Sequence, residues 1–94
     1  MTLRLCVLLW PLPGHEADLH RYEDLVLPLL DEHDGRLVAR EHVVRGSDAE
    51  PVEVQVIEFP SQVAMDAYLE DPRRLALEPD RAAAVARTQI LRLA

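Results

Sequence analysis

The segment Glu53–Phe59, EVQVIEF, most constrains the fold, because it alternates like a β-strand yet carries apolar residues on both faces. Val54 and Val56 point to one side of the strand, and Ile57 and Phe59 point to the other. A strand with one face in water shows a polar face, so this one needs a cover on each side. The sequence therefore predicts a sheet with helices on one face and a second cover on the other.

The other periodic segments place this strand in a β-α-β-β-α-β order. Leu3–Trp10 alternates as a first strand, and apolar residues then recur at three- and four-residue steps from His15 to His33, as in one long helix that Pro28 bends. Gly35 is expected to end this helix in the left-handed conformation. The later elements are expected, in chain order, as strands 36–45 and 52–59, a helix at 62–70 capped by Ser61, a short helix from Asp71-Pro72, a helical turn at 80–85 and a strand at 87–93.

This order predicts a ferredoxin-like βαββαβ fold of the α+β class, with a four-stranded antiparallel sheet and helices on one face. The 94 residues make a single domain, 1–94. The helix-covered face is assigned to Leu3, Leu5, Val7, Leu9, Val54 and Val56. The other face would carry Cys6, Leu8, Trp10, Val38, Ile57, Phe59 and Ile90. Such a face is too apolar for water, so a second copy of the chain is predicted to cover it, giving a homodimer.

Composition argues against several classes of partner. The net charge is −7 and the basic residues are ten scattered arginines, which does not fit nucleic-acid binding. RNA recognition by a sheet of this topology would also need more sheet aromatics and a basic surface. No apolar run approaches the length of a membrane span, and the apolar start is interpreted as a buried strand, since no cleavage pattern follows it. With one cysteine, Cys6, a reducing cytoplasmic location is expected.

At IEFPS the chain resembles an uncharacterised branch of the dimeric α+β barrel superfamily. The likeness covers nearly the whole chain and includes RYEDLVLPLLDEHDGR, VIEFPSQVAMDAYLEDP and PDRAAA. This resemblance implies two ferredoxin-like subunits packed sheet to sheet, with a pocket between each sheet and its own helices or the partner. Superfamily relatives include cofactor-independent oxygenases and lactone isomerases. The chain departs from the pattern at Asp34, where a second glycine is common, and at Arg73-Arg74, where an acid and a tyrosine are typical.

Two polar pairs are candidates for catalysis. Glu58 and Arg81 match the family's recurrent polar pair, in which the carboxylate would act as a general base and the arginine would orient it or an anionic substrate. The alternative is a structural salt bridge between strand three and the second crossover. His42 and Arg40 share a face of strand two, expected to be the face opposite the helices, where His42 would move a proton. The alternative there is an exposed or intersubunit polar contact.

Three aromatic residues are candidates for ligand binding. Trp10 would stack on a flat ligand or, equally, anchor the dimer, and Phe59 and Tyr22 would join Trp10 and Arg40 around the ligand. Metal and cofactors are not predicted, because no two of the four histidines have the i, i+4 spacing of a helical metal pair. Cys6 is expected to be an inert buried thiol.

These features predict a homodimer that binds a small organic molecule and catalyses a cofactor-independent reaction on it, of the oxygenase or isomerase kind. Glu58 or His42 would then handle the proton, and Arg81 or Arg40 the developing negative charge. The alternative is a non-catalytic ligand-binding or regulatory dimer. An enclosed cavity with an inward-pointing acid or histidine would favour the enzyme.

Overall fold

The computed structural model describes residues 2–94, and it confirms the predicted fold. The elements of this range are β1 (Leu3–Pro11), α1 (Glu16–Val26), a 3₁₀ helix (Leu27–His33), β2 (Arg36–His42), β3 (Glu53–Phe59), α2 (Gln62–Leu69), α3 (Pro72–Leu75), α4 (Glu78–Ala84) and β4 (Val85–Leu93). Across residues 2–94 the four strands form one antiparallel sheet in the order β2-β3-β1-β4. The helices cover one face of this sheet, which is the ferredoxin-like arrangement.

The register between β1 and β3 shows which side chains share a face. Leu5 lies opposite Ile57, and both are buried under the helices. Cys6 lies opposite Val56, and both are half-buried on the open face. The predicted face was therefore wrong for five residues of β3 and β4. Ile57, Phe59 and Ile90 lie on the helix side, and Val54 and Val56 lie on the open side.

The physical reason for this inversion is a pair of polar residues under the helices. Glu53 and Gln55 have the same parity as Ile57, and both are almost fully buried. Their polar atoms are satisfied by hydrogen bonds from other elements, which makes their burial tolerable. In β3 the prediction had assigned the aliphatic face to the helices, and the structure buries the mixed face instead. In β1 the aliphatic face of Leu5, Val7 and Leu9 is buried under the helices, as predicted.

The core is built from apolar residues of the sheet and of α1. This helix buries Leu19, Tyr22 and Val26, the stripe that its three- and four-residue spacing predicts. Val26 is followed directly by the 3₁₀ helix, with Pro28 in its first turn. The single bent helix expected from 15 to 33 is therefore an α-helix that tightens at the proline, where a backbone donor is missing.

The end of the 3₁₀ helix corrects a second expectation. The left-handed residue is Asp34, with φ of 58°, rather than Gly35. Aspartate tolerates this conformation better than most residues do. Gly35 is needed for a different reason, since a Cβ atom there would lie 2.9 Å from Cε1 of Phe59.

Both predicted helix caps are confirmed. The Ser61 hydroxyl accepts a hydrogen bond from the Ala64 amide at 3.1 Å, and the Asp71 carboxylate accepts one from the Arg73 amide at 2.8 Å. β2 is shorter than expected and ends at His42. Within residues 2–94, no helix has the length and apolar content needed to cross a membrane.

Candidate functional site

A cavity of about 320 Å³ lies between the helix-covered face of the sheet and the helices. Strands β1, β3 and β4 supply its floor, and α1, α2 and the chain from α3 to α4 supply its walls. Ligand pockets for small molecules usually occupy about 300–1,000 Å³, so the cavity is at the small end of that range. Its apolar lining includes Leu5, Val7, Ile57, Phe59 and Leu69.

Three polar side chains that line this cavity have an unpaired buried atom. Tyr22 Oη, Arg74 Nε and Thr88 Oγ1 have no hydrogen-bond partner among residues 2–94. Leaving a buried polar atom unpaired costs about 1–3 kcal/mol, so folded proteins rarely do so. Their convergence gives this cavity three polar atoms that no residue of 2–94 pairs with.

Glu23 is the buried acid of the cavity, which Glu78 also lines, and sequence reasoning missed it. Glu23 lies four residues after Leu19 and three before Val26, on the buried stripe of α1, and it is only 6% exposed. That spacing was the available signal. Gln55 Nε2 donates a hydrogen bond to Glu23 Oε1 at 2.6 Å. Burial raises the pKa of Glu23, and the negative charge of Glu53 adds to that rise, while the Gln55 hydrogen bond opposes it.

Two tyrosines and two arginines give the cavity its hydrogen-bond donors. Burial raises the pKa of Tyr22, and it raises the pKa of Tyr68 to about 12, so both phenols stay protonated at neutral pH. The Tyr68 hydroxyl donates to the Val26 carbonyl at 3.3 Å, whereas the Tyr22 hydroxyl has no hydrogen-bond partner within residues 2–94. The Arg74 guanidinium lies 5.2 Å above the centre of the Tyr68 ring, and Arg81 adds a second positive charge.

The structure separates the predicted pair Glu58 and Arg81. Glu58 lies on the open face of the sheet, where Arg36 Nη2 donates to its Oε1 at 2.7 Å and Arg4 Nε lies 3.6 Å from its Oε2. Arg81 lines the cavity on the other side of the sheet, 3.5 Å from Glu78. The parity of β3 explains the separation, because Glu58 alternates with the buried Ile57.

Arg40 and His42 share a face of β2, but that face is the helix side and not the expected opposite one. The register places Arg40 opposite Gln55 and His42 opposite Glu53. Both residues lie outside the cavity, at the edge of the sheet. The Arg40 guanidinium binds Glu53 Oε2 at 3.0 Å and Asp24 Oδ1 at 2.6 Å, so it ties β2 to β3 and α1.

His20 joins this edge and forms a group that we call the histidine cluster, composed of His20, His42 and Glu53. One ligand atom from each residue lies within 4.8 Å of the other two. His20 Nδ1 is 2.7 Å from Glu53 Oε1, and His42 Nε2 is 3.4 Å from the same oxygen. The two imidazole rings stack with centroids 3.6 Å apart. The spacing of these residues along the chain had given no reason to expect such a cluster.

The aromatic candidates divide between the two faces of the sheet. Phe59 and Tyr22 line the cavity. Trp10 lies on the open face, where its Nε1 donates to the Ala49 carbonyl at 3.0 Å and the Arg87 guanidinium lies 4.4 Å above its ring. Trp10 is therefore placed to take part in a contact across the open face rather than in the cavity.

Comparison with known families gives one match. Residues 14–92 match the family model described as "Domain of unknown function (DUF1330)". Among curated proteins, none matches the chain significantly.

Several solved structures share the fold at low sequence identity. A protein of unknown function from Rhodopseudomonas palustris is 20% identical with a TM-score of 0.76, and the match covers 98% of this chain and 80% of that one. A dabb family protein with a ferredoxin-like fold from Mesorhizobium loti is 15% identical with a TM-score of 0.70, covering 99% and 95%. A dimeric protein of unknown function and ferredoxin-like fold from Bacteroides fragilis is 13% identical with a TM-score of 0.74, covering 98% and 94%. These likenesses establish the fold.

Proposed function

Because the chain belongs to the DUF1330 family, which is defined by a domain of unknown function, its own cavity is the guide to its activity, and we propose that it binds a small organic anion there. The observation that carries this proposal is the convergence of unpaired buried atoms from Tyr22, Arg74 and Thr88 on one largely apolar cavity. A ligand with an apolar body and an oxygen-rich end would satisfy both kinds of wall.

The charges of the cavity favour an anion over a neutral or cationic ligand. Arg74, Arg81 and the acid Glu78 line it, and Arg81 lies 3.5 Å from Glu78, so the positive charge without an ion-pair partner in residues 2–94 is that of Arg74. The Tyr22 hydroxyl adds a protonated donor. Glu23 does not oppose an anion strongly, because burial favours its neutral form. A carboxylate or an enolate matches this set of donors, and the cavity volume limits the ligand to a compact molecule.

Glu23 is the group that would make the site an enzyme. A buried carboxyl group with a raised pKa takes up and releases protons closer to neutral pH than an exposed one does, which suits a general acid or base. A cofactor-independent proton transfer on a bound carbonyl compound, stabilised by the arginines, is the reaction that this arrangement supports. The alternative is a non-catalytic binding module, favoured by the hydrogen bond that Gln55 makes to Glu23.

A panel of small aromatic and aliphatic carboxylic acids is screened for binding by thermal shift. The hits are then measured by isothermal titration calorimetry. Arg74→Gln is expected to weaken binding about tenfold or more, because a hydrogen bond to a charged group contributes about 1.5–3 kcal/mol. Arg21→Gln is the matched control, since Arg21 is exposed on α1 and its one ion-pair partner within residues 2–94 is Asp18. A panel without hits, or equal losses in both variants, would refute the anion site.

The catalytic extension is tested separately once a ligand is known. Glu23→Gln keeps the shape of the side chain and is expected to keep binding while abolishing exchange of ligand protons with deuterated water, followed by NMR. Proton exchange that continues in this variant would leave Glu23 without a catalytic role and favour the binding module.

We also propose that the open face of the sheet is covered by a second copy of the chain. Leu91 and Leu93 are more than a third exposed there, beside the half-buried Leu8 and Val56. A contiguous apolar face of this kind is unusual on a monomer. The dimeric description of the Bacteroides fragilis structure supports the same arrangement.

The dimer is tested by native mass spectrometry and light scattering at micromolar concentration. The wild type is expected to have the mass of two chains, and Leu8→Glu or Val56→Glu is expected to give monomers, because each buries a charge in the interface. Val63→Glu is the control, since Val63 is 78% exposed on α2, on the helix side of the sheet. A monomeric wild type would overturn the proposal.

A further inference from the structure

We propose that the histidine cluster is a binding site for a divalent transition-metal ion, with zinc as the ion that its ligands suit best. The site would use two imidazole nitrogens and one carboxylate oxygen, a set that occurs in three-ligand zinc sites with the remaining positions open to water. His20 comes from α1, His42 from the end of β2 and Glu53 from the start of β3. The ion would therefore join three elements at one edge of the sheet.

One separation within the cluster matches that of a tetrahedral site, and all three lie within 4.8 Å. Zinc bonds to nitrogen and oxygen are about 2.1 Å long, which places neighbouring ligand atoms about 3.4 Å apart. The distance from His42 Nε2 to Glu53 Oε1 is 3.4 Å, and His20 Nδ1 is nearer to that oxygen, at 2.7 Å. The imidazoles are stacked at present, so the His42 ring has to turn its lone pair toward the ion. Its side chain is 57% exposed and has room to turn.

The Glu53 carboxylate is already held in an orientation that leaves one oxygen to the histidines. Arg40 Nε and Gln55 Nε2 both donate to Glu53 Oε2. Arg40 Nη2 and the two histidines share Oε1, the oxygen that would bind the ion. Metal sites commonly use such outer partners to orient a ligating carboxylate. Arg40 would keep its contacts to Oε2 and Asp24 when the ion takes Oε1.

The local charge also favours a cation. Glu53 is fully buried and Asp24 lies next to it through Arg40, so two carboxylates share one guanidinium. The formal charges of Glu53, Asp24 and Arg40 sum to −1. A divalent ion bound at the exposed side of the cluster would compensate this charge without entering the core. The site lies outside the cavity, so it does not depend on the proposed ligand of that cavity.

The experiment uses tag-free full-length protein that has been treated with a chelator and exchanged into metal-free buffer. Titration with zinc chloride by calorimetry is expected to give one ion per chain, and cobalt(II) is expected to give the intense visible absorption of a tetrahedral site. His42→Ala is expected to weaken zinc binding at least tenfold, because it removes a ligand. Circular dichroism checks that this variant folds, as the exposure of His42 predicts. His20→Ala is the second ligand variant.

His15→Ala is the matched control. His15 lies at the start of α1, pairs with Asp18 and is absent from the cluster. Its removal is expected to leave zinc affinity and the cobalt spectrum unchanged. No binding near one ion per chain, or binding that persists in folded His42→Ala, would overturn the proposal. In that outcome the cluster is a hydrogen-bonded network that only fixes the edge of the sheet.

Discussion

Replacing Gly35 with alanine tests how closely the end of the 3₁₀ helix packs on β3. An added Cβ atom would lie 2.9 Å from Cε1 of Phe59, 3.0 Å from Cδ2 of Leu30 and 3.2 Å from the Leu30 carbonyl oxygen. Phe59 is 3% exposed and Leu30 is 2% exposed, so neither side chain can move without repacking the core. The Leu30 carbonyl is also held, because it accepts a hydrogen bond from the Gly35 amide at 2.9 Å.

The expected cost follows from two opposing effects. Forcing an extra carbon into a packed core costs about 1–3 kcal/mol. Replacing glycine by alanine returns about 0.4–1 kcal/mol, because the unfolded chain becomes less flexible. Gly35→Ala is therefore expected to lower the free energy of unfolding by about 1–2 kcal/mol, which in a domain of this size lowers the Tm by about 4–16 °C. Thermal and urea denaturation followed by circular dichroism, at one fixed protein concentration, measure the change.

Gly46→Ala is the matched control for this prediction. A Cβ atom at Gly46 would also come within 2.9 Å of another atom, but that atom is Oε1 of Glu50, the far end of an exposed and flexible side chain. We expect its free energy of unfolding to stay within about 0.5 kcal/mol of the wild type. Equal stabilities for both variants would refute the close packing of Gly35 against Phe59, and with it the steric requirement for glycine at position 35.

Three further substitutions test other parts of the structure. Ser61→Ala removes the cap of α2 and is expected to lower the free energy of unfolding by about 1 kcal/mol in urea denaturation. Folding raises the pKa of Glu23, so its contribution to the free energy of unfolding is complete below its unfolded pKa and is lost as the pH rises through the folded pKa. We therefore expect Glu23→Gln to be more stable than the wild type at neutral pH, and its stability to vary less with pH. Hydrogen bonds from Arg73 and then His33 lower the pKa of Asp71, so its contribution to the free energy of unfolding is present above the unfolded pKa and is lost as the pH falls through the folded pKa. We therefore expect Asp71→Asn to be less stable than the wild type at pH 7, and the difference in stability between the two to shrink in acid.

The order of elements could be predicted from sequence because hydrophobic period is a local property. The change from alternation in Leu3–Trp10 to helical spacing after His15 is visible without any tertiary information. The face of each strand was harder to assign, since it depends on which side chains find partners in other elements. Gln55 donates to Glu23 from α1, and that hydrogen bond appears only when the helix has docked on the sheet.

The candidate site was predictable in part for the same reason. Tyr22 and Phe59 were candidates for ligand binding and both line the cavity, although Phe59 had been assigned to the opposite face of the sheet. Arg74 stands at a departure from the family pattern, and the structure places it in the cavity wall. His20 and His42 are 22 positions apart, so no local spacing rule could bring them together.

The two acids Glu23 and Glu58 show why position in the fold, rather than residue type, decides which of them lines the cavity. Glu58 follows the buried Ile57 by one residue, so the period of two in a strand turns it toward the open face, where two arginines contact it. Glu23 lies on the inner stripe of a helix and projects into an apolar cavity, where burial favours its protonated form. The proposed proton transfer needs a carboxyl group in the cavity, and of these two acids only Glu23 lines it. In this protein the strand acid near the Phe-Pro run forms an ion pair on the open face, and the acid in the apolar stripe of the helix is the one placed for the proposed proton transfer.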